Sequence, residues 1–238
     1  MPRKEPRVIC FDLDDTIIAT SHLYHQALWD CGVVIHRALG TRSPYPSAVL
    51  GLQHQIDRAM IERSGFTKDH FPISIVRTYE QLAKERGIAP SKDVIRDLRR
   101  AARPHRTGPF VTLPGAPEVL RGLREDGHEL HLVTMGDQTL QHRKIRETGL
   151  AHLFKSVHVT SQDKRTAIGR CISGHAPDRC VMIGDSLKSD IVAALALGMI
   201  AVHVPGDPWP FAQADVDADA FYRLGAITDV PDFIRSLA

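Results

Sequence analysis

Val8-Ile9-Cys10-Phe11-Asp12-Leu13-Asp14-Asp15-Thr16 is the stretch on which the fold turns. A short β-prone apolar run cut off by acids reads as a strand buried on both faces, as in a parallel sheet. Open α/β sheets bind ligands beyond the carboxyl ends of their strands. Asp12 and Asp14 therefore stand where chemistry is expected. Two carboxylates two residues apart can face one pocket and divide the work, one attacking an electrophile and the other moving a proton.

Outward from this strand the chain changes character twice. From about residue 19 to 105 helical periodicity dominates, as in Ile75, Tyr79, Leu82, Ala83 and Arg86, with Gly87 as a stop. Pro90-Ser91 opens a further helix carrying Val94, Ile95 and Leu98, and the Pro- and Ser-rich segment 41–47 interrupts the region. No strand pattern appears there, so 19–105 reads as an all-helical insert. From about Leu113 strands and helices alternate to the end of the chain. Helices are predicted over 117–124, 139–148, 164–172, 189–197 and 231–237, and strands over 130–133, 156–159, 180–183 and 200–204, with a loop over 204–211. That rhythm predicts a doubly wound parallel sheet, assembled from 1–18 and 106–238.

Bulk properties narrow the classes of function. Lys+Arg 30 against Asp+Glu 28 leaves a formal charge of +2, which gives no argument for a nucleic acid polymer or an acidic membrane as partner. No apolar run approaches the roughly 18 residues a membrane span needs. The basic start, residues 1–7, leads into an apolar run too short for a secretory signal. The cysteines, Cys10, Cys31, Cys171 and Cys180, form no CxxC pair and are too sparse for a disulfide scaffold. A reduced, cytoplasmic protein is expected. The histidines His22, His25 and His36, the basic run Arg96, Arg99, Arg100, Arg103 and Arg106, and Trp209 read as surface or packing residues rather than ligands.

Three further polar clusters follow strand-like runs. Thr134-Met135-Gly136-Asp137 places a hydroxyl and backbone N–H groups at a helix start, a natural phosphate cradle. Lys164 opens a helix and could hold a carboxylate and a phosphate together as a point charge. Gly184-Asp185-Ser186, with Asp190 four residues beyond Ser186, supplies two more carboxylates. Carboxylates about 4 Å apart repel by roughly 4 kcal/mol per pair at an effective dielectric near 20. A hard divalent cation with oxygen ligands removes that cost, and Mg²⁺ suits a site with few carboxylates and a substrate phosphate. No His/Cys spacing suggests zinc.

In order and spacing these clusters resemble the motifs of the haloacid dehalogenase (HAD) superfamily. Phe11-Asp12-Leu13-Asp14-Asp15-Thr16 is similar to its first motif, Val133-Thr134 to its second, Lys164 to its third, and Gly184-Asp185-Ser186 with Asp190 to its fourth. The resemblance implies a doubly wound, Rossmann-like α/β core with a helical cap inserted after the first strand. It implies that Asp12 is a nucleophile forming an aspartyl-phosphate and that Asp14 protonates the leaving oxygen and then activates water. Thr134, Met135, Gly136 and Lys164 would bind the phosphoryl group. Asp12, the backbone carbonyl of Asp14, and Asp185 would hold Mg²⁺, with Asp190 in support. The second acid favours phosphoryl transfer over carbon–halogen cleavage. The expected substrate is a small phosphorylated metabolite. A phosphomutase, a phosphonate hydrolase using a lysine such as Lys68, Lys84 or Lys92, and a non-catalytic binding protein remain the alternatives.

Overall fold

A computed structural model describes residues 5–207 and 209–237; the basic residues at the chain start, Arg3 and Lys4, and Pro208 of the expected loop lie outside them. The chain forms two compact units, Met1–Ala19 with Phe110–Ala238, and Thr20–Pro109.

The first unit is built on a six-stranded sheet. In chain order its strands are β1 (Val8–Phe11), β4 (Glu129–Met135), β5 (Ser156–Thr160), β6 (Cys180–Gly184), β7 (Ile200–His203) and β8 (Tyr222–Arg223). A separate two-stranded antiparallel ribbon joins β2 (Ile18–Ala19) to β3 (Val111–Thr112), where the chain leaves this unit and returns to it. The sheet order is β5-β4-β1-β6-β7-β8 and every pairing is parallel. From β1 the chain first fills one side and then the other. The order therefore reverses around β1, and the crevice beyond its carboxyl end is the place where such sheets bind ligands.

Alternation along β1 explains the two cores. Ile9 and Phe11 point to one face, into a cluster with Leu120, Leu123, Leu132 and Ile183. Val8 and Cys10 point to the other, with Val133, Ile168, Met182 and Ala194. The helices covering the sheet are α6 (Ala116–Glu125), α7 (Gln138–Thr148), α8 (Arg165–Cys171), α9 (Val192–Ala196) and α10 (Val230–Ser236). Burial on both faces is what a continuous apolar strand predicts.

The second unit consists of α1 (Ser21–Leu39), α2 (Pro46–Ser64), α3 (His70–Glu85), α4 (Lys92–Ala101) and α5 (Pro104–Thr107). Its own core includes Ile35, Phe71, Ile75, Tyr79, Leu82 and Leu98. The helix pattern around Ile75 runs as far as Glu85, and Ser91 precedes α4. The unit ends at Pro109 rather than 105, because α5 continues its helical run. Within the basic run, Arg96 pairs with Asp93, Arg100 with Asp97 and Arg106 with Asp69, all partly or largely exposed. No helix among the described residues is long and apolar enough to cross a membrane. All four cysteines are free and buried.

Candidate active site

All four clusters lie at the carboxyl edge of the sheet. Asp12 follows β1 directly, and its N–H donates to the Ile183 carbonyl at 2.9 Å, extending the β1–β6 ladder by one step. Asp12 as a whole is 5% exposed. The Lys164 ammonium, 2% exposed, lies 2.6 Å from Asp12 Oδ1 and 2.7 Å from Asp190 Oδ1. One buried cation thus bridges the first strand to the segment after β6.

That segment departs from the expected single helix over 189–197. Leu187–Ile191 forms a π-helical turn before α9 begins. The wider turn accompanies a fully buried Asp190, whose second oxygen accepts from the Ser186 N–H at 3.0 Å. Such turns concentrate at functional sites. Any Cβ at position 184 would overlap the Asp190 carboxylate, which explains the glycine ending β6.

One carboxylate oxygen each of Asp12, Asp185 and Asp190 lies within 4.8 Å of the other two. Burial pushes the Asp12 carboxyl up, and Asp190 and Asp14 push the same way against Lys164, to about 7. Burial likewise holds Asp185 well above the ordinary carboxylate range, reinforced by Asp12 and Asp190. Burial alone would lower Lys164, but Asp12 and Asp190 outweigh it and raise it. Three acids, all offering oxygen ligands, against one lysine form an arrangement that a hard divalent cation neutralises. The residues present fit Mg²⁺.

The Asp14 carboxylate lies outside this trio. Lys144 Nζ sits 2.8 Å from each of its oxygens, and Gln141 Nε2 donates to Oδ2 at 2.9 Å. Gln141 Nε2 also donates to the Thr134 hydroxyl at 2.6 Å. Thr134 is fully buried within β4, and because its oxygen accepts from Gln141 its own proton is left to be donated elsewhere. Met135, the last residue of β4, is half-buried.

Gly136 departs from the expectation of a free N–H in the phosphate cradle. Its N–H donates to the Thr160 carbonyl at 2.8 Å, because the β4–β5 ladder runs one residue past the strand. Gly136 serves a steric purpose instead, since a Cβ there would sit 2.9 Å from the Gln141 side chain. Gly136→Ala is expected to force Gln141 off Thr134 and cost about 1–3 kcal/mol, as overpacking does. Denaturant midpoints of the two proteins measure it, and an unchanged midpoint would show that Gln141 yields freely.

Sequence reasoning missed Gln141 and Lys144. In α7 the buried residues are Gln141, Lys144 and Ile145, at i, i+3 and i+4. That is the spacing of an inward helical face, but two of its three members are polar, so a search for apolar periodicity passes over it. Lys68, Lys84 and Lys92 are exposed on the helical unit.

Residues 6–198 match the model of the haloacid dehalogenase-like hydrolase family. The chain belongs to that family. Among HAD-like relatives it is similar to a phosphoserine phosphatase from Thermus thermophilus, 31% identical over 162 residues. That match covers 65% of this chain but 62% of the relative, so the chain spans less than two thirds of that relative's length. An N-acylneuraminate-9-phosphatase from Mus musculus is 21% identical over 250 aligned residues, covering 97% of this chain and 94% of the relative. A crystal structure of a HAD-like hydrolase from Xanthomonas campestris has the same fold, with a TM-score of 0.77 at 23% identity over 98% of this chain and 91% of that one.

Proposed function

We propose that this HAD-like hydrolase is a Mg²⁺-dependent phosphatase that cleaves a small phosphate monoester through an aspartyl-phosphate on Asp12. The observation that carries the reading is the buried Lys164 held between Asp12 and Asp190, beside a second acid, Asp14, that is anchored separately. A nucleophile and an acid–base group need different surroundings, and these two carboxylates have them.

Asp12 Oδ1 is engaged by Lys164, which leaves Oδ2 to attack phosphorus. A P–O bond forms to Asp12 as the ester P–O bond breaks, and Asp14 gives its proton to the departing oxygen. Asp14 then takes a proton from water, which attacks the phosphoaspartate and releases inorganic phosphate. Lys164, the Thr134 hydroxyl and the Met135 backbone N–H bind the transferring phosphoryl group. Mg²⁺ held by Asp12, Asp185, Asp190 and the Asp14 carbonyl would supply the charge neutralisation that phosphoryl transfer requires. The helical unit, inserted between Ala19 and Phe110, is assigned the choice of substrate as a cap. Two relatives are named as phosphatases of small metabolites, which supports a substrate of that size.

Phosphate release from an aryl phosphate tests the reading. Turnover is expected with Mg²⁺ and a loss of at least ~100-fold with excess chelator, restored by added Mg²⁺. Undiminished turnover in chelator would overturn the metal requirement.

A further inference from the structure

Lys144 is 2% exposed, yet it belongs to neither the nucleophile's ion pair nor the acid trio. We propose that Lys144 and Gln141 form a clamp on α7 that positions Asp14 as the acid–base group and couples it to the phosphate-binding Thr134. The inference rests on the phosphatase reading and adds two positioning residues to it.

The argument is geometric. An ionised carboxylate offers about four acceptor positions, two on each oxygen. Lys144 takes one on each oxygen of Asp14 at 2.8 Å, and Gln141 takes the second on Oδ2 at 2.9 Å. One position remains, on Oδ1. The proton that Asp14 gives and takes back is thereby confined to a single site and direction, as proton transfer in a fixed geometry demands. The second hydrogen of the Gln141 amide holds Thr134, so one side chain fixes the distance between the acid–base group and the phosphoryl-binding hydroxyl.

The clamp is itself held. Lys144 and Gln141 are one turn apart on α7, whose start is capped by Asp137 accepting from the Leu140 N–H at 3.1 Å. The Lys144 ammonium also lies 5.7 Å from the centre of the Phe110 ring, an apolar wall that favours a cation over its face. A lysine placed only for solubility would not be buried, and one placed only to fill the core would not carry a charge. Among the described residues its single carboxylate partner is Asp14.

The test separates a positioning role from a structural one. Single-turnover release of the leaving group is followed for a nitrophenyl phosphate, whose phenolate needs no proton, and for an alkyl phosphate, whose alkoxide does. Lys144→Met is expected to slow the alkyl ester by ~100-fold and the nitrophenyl ester by no more than a few-fold, the scale of general acid catalysis. Lys144→Arg should recover part of the alkyl rate. In an Asp14→Asn background Lys144→Met should cost nothing further, since its effect acts through Asp14. Equal losses on both esters, or losses that add, would overturn the proposal.

A second measurement is independent of turnover. Asp14→Asn leaves the Lys144 ammonium buried without its counter-charge and should lower the melting temperature. Adding Lys144→Met should restore much of it. Should the native chain release no phosphate from either ester, the phosphatase reading fails, while additive melting shifts would still overturn the clamp.

Discussion

Replacing Asp12 with asparagine is expected to lower phosphate release by on the order of 10⁴-fold or more while leaving the fold as stable as before or more so. The rate loss follows from chemistry, because an amide cannot form the phosphoenzyme, and losses of that size are usual for a nucleophile. The stability effect has the opposite sign for an electrostatic reason. Burial, with Asp190 and Asp14, raises the Asp12 carboxyl from 3.8 to about 7. A carboxyl raised on folding costs stability as pH climbs past its unfolded value, and the cost is complete above its folded value. It amounts to a few kcal/mol for a shift of this size. Without metal, Asp12→Asn should therefore melt higher than the native chain at pH 8, with the advantage shrinking toward pH 4. Activity assays and melting curves on the same preparations check both halves. An inactive variant that also melts lower at pH 8 would point to a disrupted site rather than a missing nucleophile.

Much of this site is legible in the sequence because its parts are local. Val8–Phe11 needs burial on both faces, and the structure provides it, Ile9 and Phe11 on one side and Val8 and Cys10 on the other. Asp12, Asp14, Lys164, Asp185 and Asp190 sit at strand ends or just beyond them, where the alternating pattern already points. The parts that escape the sequence are those decided by tertiary contacts. β8, Tyr222–Arg223, is two exposed residues at the sheet edge, too short and too polar to carry a strand signal. The π-helical turn at Leu187–Ile191 depends on where the Asp190 carboxylate finds partners, Lys164 and the Ser186 N–H, and neither is visible from periodicity. Gly136 reads as part of a phosphate cradle, but one further ladder hydrogen bond consumes its N–H. Gln141 and Lys144 are buried polar residues bonded to Asp14 and Thr134, so the rule that apolar residues mark the inward face of a helix fails where that face meets polar partners.

Replacing Lys164 with methionine is expected to damage the protein as well as the reaction, in contrast to the change at Asp12. The side chains are similar in length, so packing is largely kept and the change isolates the charge. Lys164 is the cation that Asp12 and Asp190 share at 2.6 and 2.7 Å. Removing one partner of a buried ion pair strands the other, and here it strands two, at a cost of about 3–5 kcal/mol. For a chain of this size that corresponds to a fall of ~10 °C in melting temperature. The direction of the pH dependence follows from the shifts. Lys164 is raised above its ordinary value, so its stabilising contribution is present throughout the neutral range and is lost only in strong alkali. The Asp12 carboxyl it serves is raised as well, so acid converts Asp12 to a neutral form that no longer needs the cation. The deficit of Lys164→Met should therefore be larger at pH 8 than at pH 5. Added Mg²⁺ should recover part of the melting temperature at pH 8, because a cation held by Asp12, Asp185 and Asp190 takes over the missing positive charge. A deficit equal at both pH values and indifferent to Mg²⁺ would mean that Lys164 acts through packing and that the three acids do not form a cation site.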